Sequence, residues 1–271
     1  NRYMEEGGYD GVLCVHPFSA IMLTETLRRY PKAVKTGLVA TDYTCSPSVA
    51  DSRMDFYFIP HASLAQEFIS CGVPAEKIVA SGIPVKQVFF ERGSKSAAKK
   101  AFGMEPDARH VLLMCGSMGC GPIEELALDV SSRLPKGAVL TVACGTNERL
   151  KKKLEKAERA NLRVLGYTDK ISQLMDSADL YMTKPGGLSV TEAAVKRLPM
   201  LFVDAVSGCE TYNKNFFLSR HMAAAAENPA LLARECVRLL FDAEALAAQK
   251  KAMEAEFCTD PADCIFHTFF S

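Results

Sequence analysis

Short runs of apolar residues alternate along this chain with amphipathic stretches of helical length. This alternation is typical of parallel β-sheets covered by helices, because each strand is buried on both faces and each helix on one. The predicted strands cover residues 12–15, 36–41, 56–59, 110–115, 138–143, 162–165, 179–183 and 199–203. The predicted helices cover residues 20–30, 62–71, 122–133, 147–159, 169–177, 188–196, 210–219, 229–241 and 243–257. The pattern therefore predicts an α/β protein.

The alternation breaks once, at a charged stretch with few apolar residues over positions 91–100. We place a lobe boundary near residues 88–105. The predicted divisions are a partial N-terminal lobe over 1–95, a Rossmann-like lobe over 96–250 and a C-terminal helical tail over 251–271. Five strand–helix units are enough for a complete doubly wound sheet in the second lobe, whereas three units leave the first lobe incomplete.

Composition excludes several classes of protein. The 271 residues include 32 Lys+Arg and 32 Asp+Glu, without a block of five like charges, so no nucleic-acid partner is expected. A hydrophobic share of 48% indicates a globular core, and the longest apolar runs are shorter than a membrane span. The ten cysteines lack C-x-x-C pairs and zinc spacing, which favours reduced, buried thiols in a cytosolic protein. The start at Asn1 shows no signal-peptide pattern, and we expect a piece of a longer protein.

A glycine-rich loop follows the predicted strand at 110–115. Residues 116–122 (GSMGCGP) contain three glycines and lead into a helix. Glycine lets a ligand approach the backbone, and free N–H groups at a helix N-terminus favour an anion such as a diphosphate. Gly116 and Ser117 are the candidate ligand-binding residues. The alternative is that these glycines serve only a tight strand-to-helix turn.

A second glycine-rich loop, residues 184–192 (KPGGLSVTE), follows the strand at 179–183 and also opens a helix. Because carboxyl ends of parallel strands share one edge of a sheet, both loops are expected where ligands bind. Glu192 lies about one and a half turns into the helix, where its carboxylate can accept hydrogen bonds from two vicinal hydroxyls, as on a ribose. The alternative is that Thr191 and Glu192 only support the first helical turn. The candidate binding residues of this loop are Gly186, Gly187, Leu188 and Glu192.

Two further positions could carry chemistry. Glu210 and Asn213 are three residues apart at a helix start, so both can face one polar ligand. Helix capping by Ser207 or Glu210 is the alternative. His16 follows the first strand, but an N-capping or packing histidine is favoured over a catalytic one.

The most specific motif is KPGGLSVTEA at 184–193, and nearly the whole chain carries supporting motifs. These are VHPF at 15–18, TDY at 41–43, GIPV at 82–85, GSMG at 116–119, CGTN at 144–147 and LGY at 165–167. Together they resemble the GT-B glycosyltransferases, specifically the branch of monogalactosyldiacylglycerol synthases and processive diacylglycerol glucosyltransferases. The peptidoglycan N-acetylglucosaminyltransferase is a more distant relative. The resemblance implies a GT-B-like fold of two Rossmann-like lobes, the first incomplete here.

The resemblance also implies a function. It implies an inverting UDP-sugar-dependent hexosyltransferase that acts on a diacylglycerol-type lipid, without a metal or other cofactor, at the cytoplasmic face of the membrane. By analogy, Gly116 and Ser117 line the diphosphate, and the backbone around Tyr167 and Thr168 meets the uracil. Glu192 would hold the ribose, and Glu210, with Asn213 behind it, would touch the hexose.

The sequence departs from the family at three places. The glycine-histidine loop that carries catalytic and acceptor-binding residues in the family is absent, so the general base is expected upstream, with His16 a weak candidate. Residues 207–210 read SGCE where the family has Pro-Gly-Gln-Glu, which puts a thiol in place of an amide near the sugar. Residues 44–47 (TCSP) replace a histidine-containing segment on the acceptor side.

Two other functions use related architecture. A UDP-N-acetylglucosamine 2-epimerase shares the two lobes, but the KPGG motif and the run GCETYN at 208–213 speak against it. A non-catalytic module that binds a nucleotide-sugar is the other alternative.

Overall fold

The computed structural model describes residues 6–115, 123–203 and 208–270, which form two compact units. Unit 1 comprises residues 1–85 and 259–271, and unit 2 comprises residues 86–258. The units therefore end at other residues than the predicted lobes. The chain passes into unit 2 after Val85, and the predicted tail is split, because residues from Thr259 onward belong to unit 1.

Unit 1 contains a parallel sheet with the strand order β1-β2-β3-β4. Its strands are β1 (Gly11–Cys14), β2 (Lys35–Val39), β3 (Phe56–Ile59) and β4 (Ile78–Ala80), and its first helices are α1 (Pro17–Arg29) and α2 (Ala65–Ser70). The first three strands match the predicted ones. The sequence missed β4, because three partly exposed residues are too few to show a strand pattern.

The core of unit 1 is completed by the last helix of the chain, α11 (Pro261–Phe270). Ile265 and Phe269 of this helix are buried in one cluster with Val39 and Phe58. A Cβ at Gly11 would lie 2.5 Å from the ring of Phe269, and one at Gly37 would lie 3.1 Å from it. The two glycines thus leave the surface on which the phenylalanine ring packs.

Unit 2 contains a six-stranded parallel sheet in the order β10-β9-β8-β5-β6-β7. Its strands are β5 (His110–Met114), β6 (Val139–Ala143), β7 (Leu162–Leu165), β8 (Leu180–Thr183), β9 (Met200–Phe202) and β10 (Ala223–Ala225). The chain runs outward from β5 to β7 and then returns to β8 on the other side of β5, which is the Rossmann order. The sequence missed β10, because three alanines carry little strand preference.

Eight α-helices are found in the described part of unit 2. They are α3 (Lys95–Ala101), α4 (Ile123–Arg133), α5 (Glu148–Glu155), α6 (Ile171–Ser177), α7 (Gly187–Val195), α8 (Cys209–Ser219), α9 (Leu232–Leu240) and α10 (Ala243–Glu256). The sequence analysis predicted a lobe boundary, and not a helix, at the residues of α3. The helix forms there because Ser94 caps it and because Lys99 reaches the core of the unit.

An ionic network ties α3 to the sheet at the start of β8. The carboxylate of Asp179 lies 2.9 Å from Nζ of Lys95 and 2.9 Å from Nζ of Lys99, and it accepts a hydrogen bond from the backbone N–H of His110 at 2.9 Å. Burial acts to raise the pKa of Asp179, but the two ammonium groups hold this pKa below its ordinary value. Asp179 is therefore the ionised partner of a buried lysine.

The burial of the cysteines can be compared with the expectation from the sequence. Five cysteines are buried as expected, namely Cys14, Cys45, Cys115, Cys144 and Cys236. The expectation of buried thiols is wrong for Cys209 and Cys258, which are exposed, and Cys120 lies outside the described residues. None of the helices that the structure describes combines the length and the apolar character needed to span a bilayer.

Candidate functional site

The candidate residues gather at the carboxyl edge of the unit 2 sheet. Met114 at the end of β5 pairs with Thr183 at the end of β8, so the loops after these two strands start at one level. This is the point where the strand order reverses, and open α/β sheets bind ligands there. Gly116 and Ser117 follow β5 immediately but lie outside the described residues.

The loop after β8 presents an uncapped helix N-terminus. The hydroxyl of Thr183 and the N–H of Gly186 both donate to the carbonyl of Lys184, at 3.1 and 2.8 Å, which fixes the turn. Gly186 is the N-cap of α7 and has no side chain to occupy the first N–H groups of the helix. Free N–H groups at the positive end of a helix dipole are suited to an anion, so Gly187 and Leu188 stay candidate binding residues.

An ion pair lies beside this N-terminus. Nζ of Lys184 is 2.7 Å from Oε1 of Glu210, at the start of α8, and both side chains are partly buried. A Cβ at Gly186 would stand 4.0 Å from the same carboxylate oxygen. The loop after β8 and the start of α8 are thus joined by an ion pair. The sequence analysis included Lys184 in the motif but did not recognise it as a partner of Glu210.

Asn213 faces inward, whereas its spacing from Glu210 allowed both side chains to face one polar ligand. Its side chain is fully buried, and its amide donates to the carbonyl of Pro185 at 3.0 Å. The residue is on the same helix as Glu210, but the packing of α8 turns its amide toward the loop. Asn213 therefore holds the loop in place from behind, and its side chain is not exposed at the surface.

Among the carboxyl groups of the candidate site, Glu192 has a clearly shifted pKa. It is half-buried on α7, and burial raises its pKa to about 7 despite the opposing charge of Lys86. No hydrogen bond to its carboxylate is found among the described residues. Its neighbour Thr191 is buried and donates to the carbonyl of Gly187 at 2.7 Å, as a residue that only supports the helix would. The hydrogen bond of Thr191 fits the alternative of helix support, whereas Glu192 makes no such bond among the described residues.

Tyr181 is a polar residue of this region that the sequence analysis missed. It lies within β8, is fully buried, and its hydroxyl has no hydrogen-bond partner among the described residues. Burial raises its pKa, and the side chains of Thr183, Ser189 and Glu192 lie near enough to affect it. A tyrosine within an otherwise apolar buried strand is the signal that could have identified it.

Tyr167 and Thr168 follow β7 and so lie at the same edge. The Tyr167 side chain is 78% exposed, and the Thr168 hydroxyl accepts a hydrogen bond from the N–H of Lys170 at 3.1 Å. Three strand spacings separate β7 from β8, which is about 14 Å. The edge therefore offers an exposed aromatic group at one end and the N-terminus of α7 toward its middle.

His16 serves as a helix cap in unit 1. Its Nδ1 accepts a hydrogen bond from the N–H of Phe18 at 3.2 Å, and Pro17 occupies the first helical position. This arrangement favours the capping interpretation over the catalytic one. No cluster of metal-ligating side chains is found in the part of the chain that the structure describes.

Comparison with known proteins agrees with this architecture. Residues 2–85 match the family "Monogalactosyldiacylglycerol (MGDG) synthase". A processive diacylglycerol β-glucosyltransferase of Staphylococcus carnosus is 28% identical over 240 residues, which is 88% of this chain and 61% of that protein. The chain therefore spans about three fifths of this relative's length.

Solved structures give the fold. The UDP-N-acetylglucosamine 2-epimerase from Neisseria meningitidis bound to UDP-GlcNAc superposes with a TM-score of 0.72 at 12% identity, covering 100% of this chain and 79% of that one. MurG of Acinetobacter baumannii superposes with a TM-score of 0.67 at 14% identity, covering 98% and 75%. The predicted α/β, GT-B-like fold is confirmed.

The family assignment rests on unit 2. Residues 110–263, more than half of the chain, match the family "Glycosyltransferase family 28 C-terminal domain". This range contains the reversal point of the sheet, the α7 N-terminus, Glu192 and Glu210. The chain belongs to the family of proteins that carry the glycosyltransferase family 28 C-terminal domain.

Proposed function

We propose that unit 2 binds a UDP-sugar and that the whole protein transfers its hexose, with inversion, to the hydroxyl of a diacylglycerol-type lipid. One observation carries the proposal: the uncapped N-terminus of α7 and the half-buried Glu192 follow the strand at which the sheet order reverses. The family match of residues 110–263 and the names of the sequence relatives support it.

The donor would lie along the carboxyl edge of the sheet. Its diphosphate would meet the first N–H groups of α7 and the loop at Gly116 and Ser117. The carboxylate of Glu192, about one turn further along α7, would accept hydrogen bonds from the two ribose hydroxyls. The uracil would then lie toward the backbone at Tyr167 and Thr168, because that loop is on the β7 side of the sheet.

The sugar would lie near the ion pair of Lys184 and Glu210. The carboxylate of Glu210 can accept hydrogen bonds from hexose hydroxyls, and Lys184 fixes its orientation at 2.7 Å. Gly186 has no side chain that would occupy the space in front of this carboxylate. In this arrangement Asn213 positions the loop and does not touch the sugar.

We propose that the transfer needs no metal cofactor. Departure of UDP places negative charge on the diphosphate, and preorganised N–H donors at a helix N-terminus stabilise that charge more in the transition state than in the ground state. The Lys184 ammonium adds a positive charge at the same loop. These groups act where a divalent cation would otherwise be required.

The lipid acceptor implies contact with a membrane surface, and we propose that unit 1 makes it from the cytoplasmic side. Phe18 and Met22 lie one turn apart on α1 and are 63% and 72% exposed, and Val15 beside them is 62% exposed. Arg28 and Arg29 lie in the last turn of the same helix. Both arginines pair with Glu25, so the exposed apolar side chains are the part of the helix suited to the interface of a bilayer.

Calorimetric titration tests the donor site. UDP, UDP-glucose, UDP-galactose and UDP-N-acetylglucosamine are added in turn to the wild type and to Glu192→Ala. Loss of a charge-assisted hydrogen bond should weaken UDP binding at least tenfold. The exposed Glu105→Ala is the matched control and should bind UDP like the wild type. Unchanged UDP affinity in Glu192→Ala would refute the ribose assignment, and UDP-sugar binding without transfer to lipid would favour the non-catalytic module.

A further inference from the structure

A polar cavity lies in unit 2, at the edge of its sheet opposite to the candidate site. It has a volume of about 200 Å³. Ala178, two residues before β8, and Pro199, one residue before β9, border it. The amino ends of the parallel strands lie there, so the cavity is separate from the donor site at their carboxyl ends. Five basic side chains line it, with one carboxylate, and they are Arg92, Lys95, Lys196, Arg197, Lys250 and Asp176.

Three of these basic residues are held in place by ion pairs. Lys196 is 2% exposed, and its Nζ lies 2.9 Å from Asp176 while also donating to the carbonyl of Glu91. Lys95 is bound to Asp179 at 2.9 Å, and Arg197 is paired with Glu254. The wall of the cavity is therefore built from oriented cations and not from freely moving surface lysines.

The five basic side chains of the cavity outnumber the carboxylates that pair with them. Arg92 and Lys250 are exposed, and no ion pair of either is found among the described residues. Burial lowers the pKa of Lys95, and the positive charge of Lys250 lowers it further, while Asp179 acts in the opposite direction. The ammonium groups of Lys95 and Lys250 therefore repel each other, and the carboxylates of Asp176, Asp179 and Glu254 are paired with other basic residues of the wall.

Arg197 occupies a backbone position that favours glycine. It follows the end of α7 with φ of 53°, and the N–H of Leu198 donates to the carbonyl of Ala193, as in a Schellman motif. A side chain is less favourable than glycine in this left-handed conformation. The guanidinium that this position supplies has a buried Nε without a hydrogen-bond partner among the described residues. Arg197 thus places a guanidinium, paired with Glu254, at the wall of the cavity.

We propose that this cavity binds a phosphate-bearing anion between Arg92, Lys250 and Arg197. Phosphate carries up to two negative charges and several acceptor oxygens, which match an excess of cations and an arginine fork. The volume accommodates a phosphate group but not a nucleotide-sugar. The anion can be free phosphate or the headgroup of a lipid, and the site is independent of the proposed transferase activity.

Titration of the whole chain with inorganic phosphate tests the site. The variant Arg92→Ala/Lys250→Ala removes two exposed cations from the cavity, and Lys100→Ala/Lys251→Ala removes the same charge from exposed positions outside it. We expect saturable binding to the wild type and the control, and at least a tenfold loss in the cavity variant. Backbone amide shifts should change at residues 92–95 and 196–198. Perturbation confined to residues 184–190 would overturn the proposal.

Vesicles distinguish the two sources of the anion. Phosphatidylcholine vesicles with and without phosphatidylglycerol are sedimented with the same three proteins. If the headgroup is the ligand, the cavity variant loses binding to anionic vesicles and the control retains it. If free phosphate is the ligand, only the phosphate titration distinguishes the variants. Equal behaviour of the cavity variant and the control in both assays would refute the site.

Discussion

Replacing Glu192 with glutamine removes a carboxyl group that the fold holds half-buried on α7. Burial raises its pKa from the ordinary value of 4.5 to about 7. At 1.36 kcal/mol for each unit of pKa, this rise corresponds to about 3 kcal/mol that the ionised carboxylate costs the folded state. Glutamine keeps the shape without the charge, so Glu192→Gln should raise the free energy of unfolding by up to about 3 kcal/mol at pH 8.

The pH dependence fixes the sign of this effect. The unfolded chain loses the proton of Glu192 near pH 4.5, whereas the folded chain retains it until about pH 7. The folded state therefore loses stability as the pH rises from 4.5 to 7, and the loss is complete above 7. Below pH 4.5 the carboxyl group is neutral in both states, so the glutamine variant and the wild type should be equally stable.

Urea unfolding at pH 4.5 and pH 8 measures the difference, with the exposed Glu105→Gln as the control. The wild type should lose stability relative to Glu192→Gln between these values, and the control should follow the wild type. UDP affinity should move in the other direction: it should rise with pH through about 7 in the wild type, because the ionised carboxylate accepts hydrogen bonds from hydroxyls, and should stay low and flat in the variant. A glutamine variant no more stable than the wild type at pH 8 would refute the assigned burial of this charge.

Three further substitutions test the packing behind the site and the two units. Asn213→Ala should lower the free energy of unfolding by about 1–3 kcal/mol, because the carbonyl of Pro185 loses its donor in a buried place; an unchanged thermal midpoint would contradict this. Asp179→Asn should cost about 3–5 kcal/mol in urea unfolding, because Lys99 is left buried without a counter-charge, and adding Lys99→Met should restore part of the loss. Phe269→Ala should cost about 3–5 kcal/mol, with faster hydrogen exchange in unit 1; exchange that accelerates equally in unit 2 would refute the assignment of α11 to unit 1.

The lipid-surface assignment gives a last prediction. Phe18→Ser/Met22→Ser should weaken co-sedimentation with anionic vesicles several-fold, because the apolar side chains that enter the interface are lost. Thr26→Ala on the same helix is the control and should bind like the wild type. Equal sedimentation of the serine variant and the wild type would exclude this face of α1 as the membrane contact.

The sequence predicted the strands whose burial produces a continuous apolar run. β5 and β6 are of this kind, because most of their residues are buried in the sheet. β4 and β10 have three residues each, and the alanines of β10 suit a helix as well as a strand. Helix α3 was missed because its stability comes from Lys99 and Asp179, which are 80 residues apart in sequence. Local pattern cannot reveal such a partner.

The candidate site shows the same division. Glycines after a buried strand and a carboxylate one turn later are local features, so the α7 N-terminus and Glu192 could be predicted. The ion pair of Lys184 with Glu210 joins two separate loops, and the inward turn of Asn213 depends on how α8 packs. Neither contact could be predicted without the three-dimensional structure. The contacts of Gly116 and Ser117 with a ligand stay a prediction.

The return of α11 to unit 1 has a consequence for biosynthesis. Unit 2 is continuous in sequence over residues 86–258, so it can fold as soon as these residues leave the ribosome. The strands of unit 1 are translated first, but their core is complete only after Phe269 packs on Gly11 and Gly37. During that interval the apolar face of their sheet is open to chaperones and to other nascent chains, and premature termination within the last helix would leave it exposed.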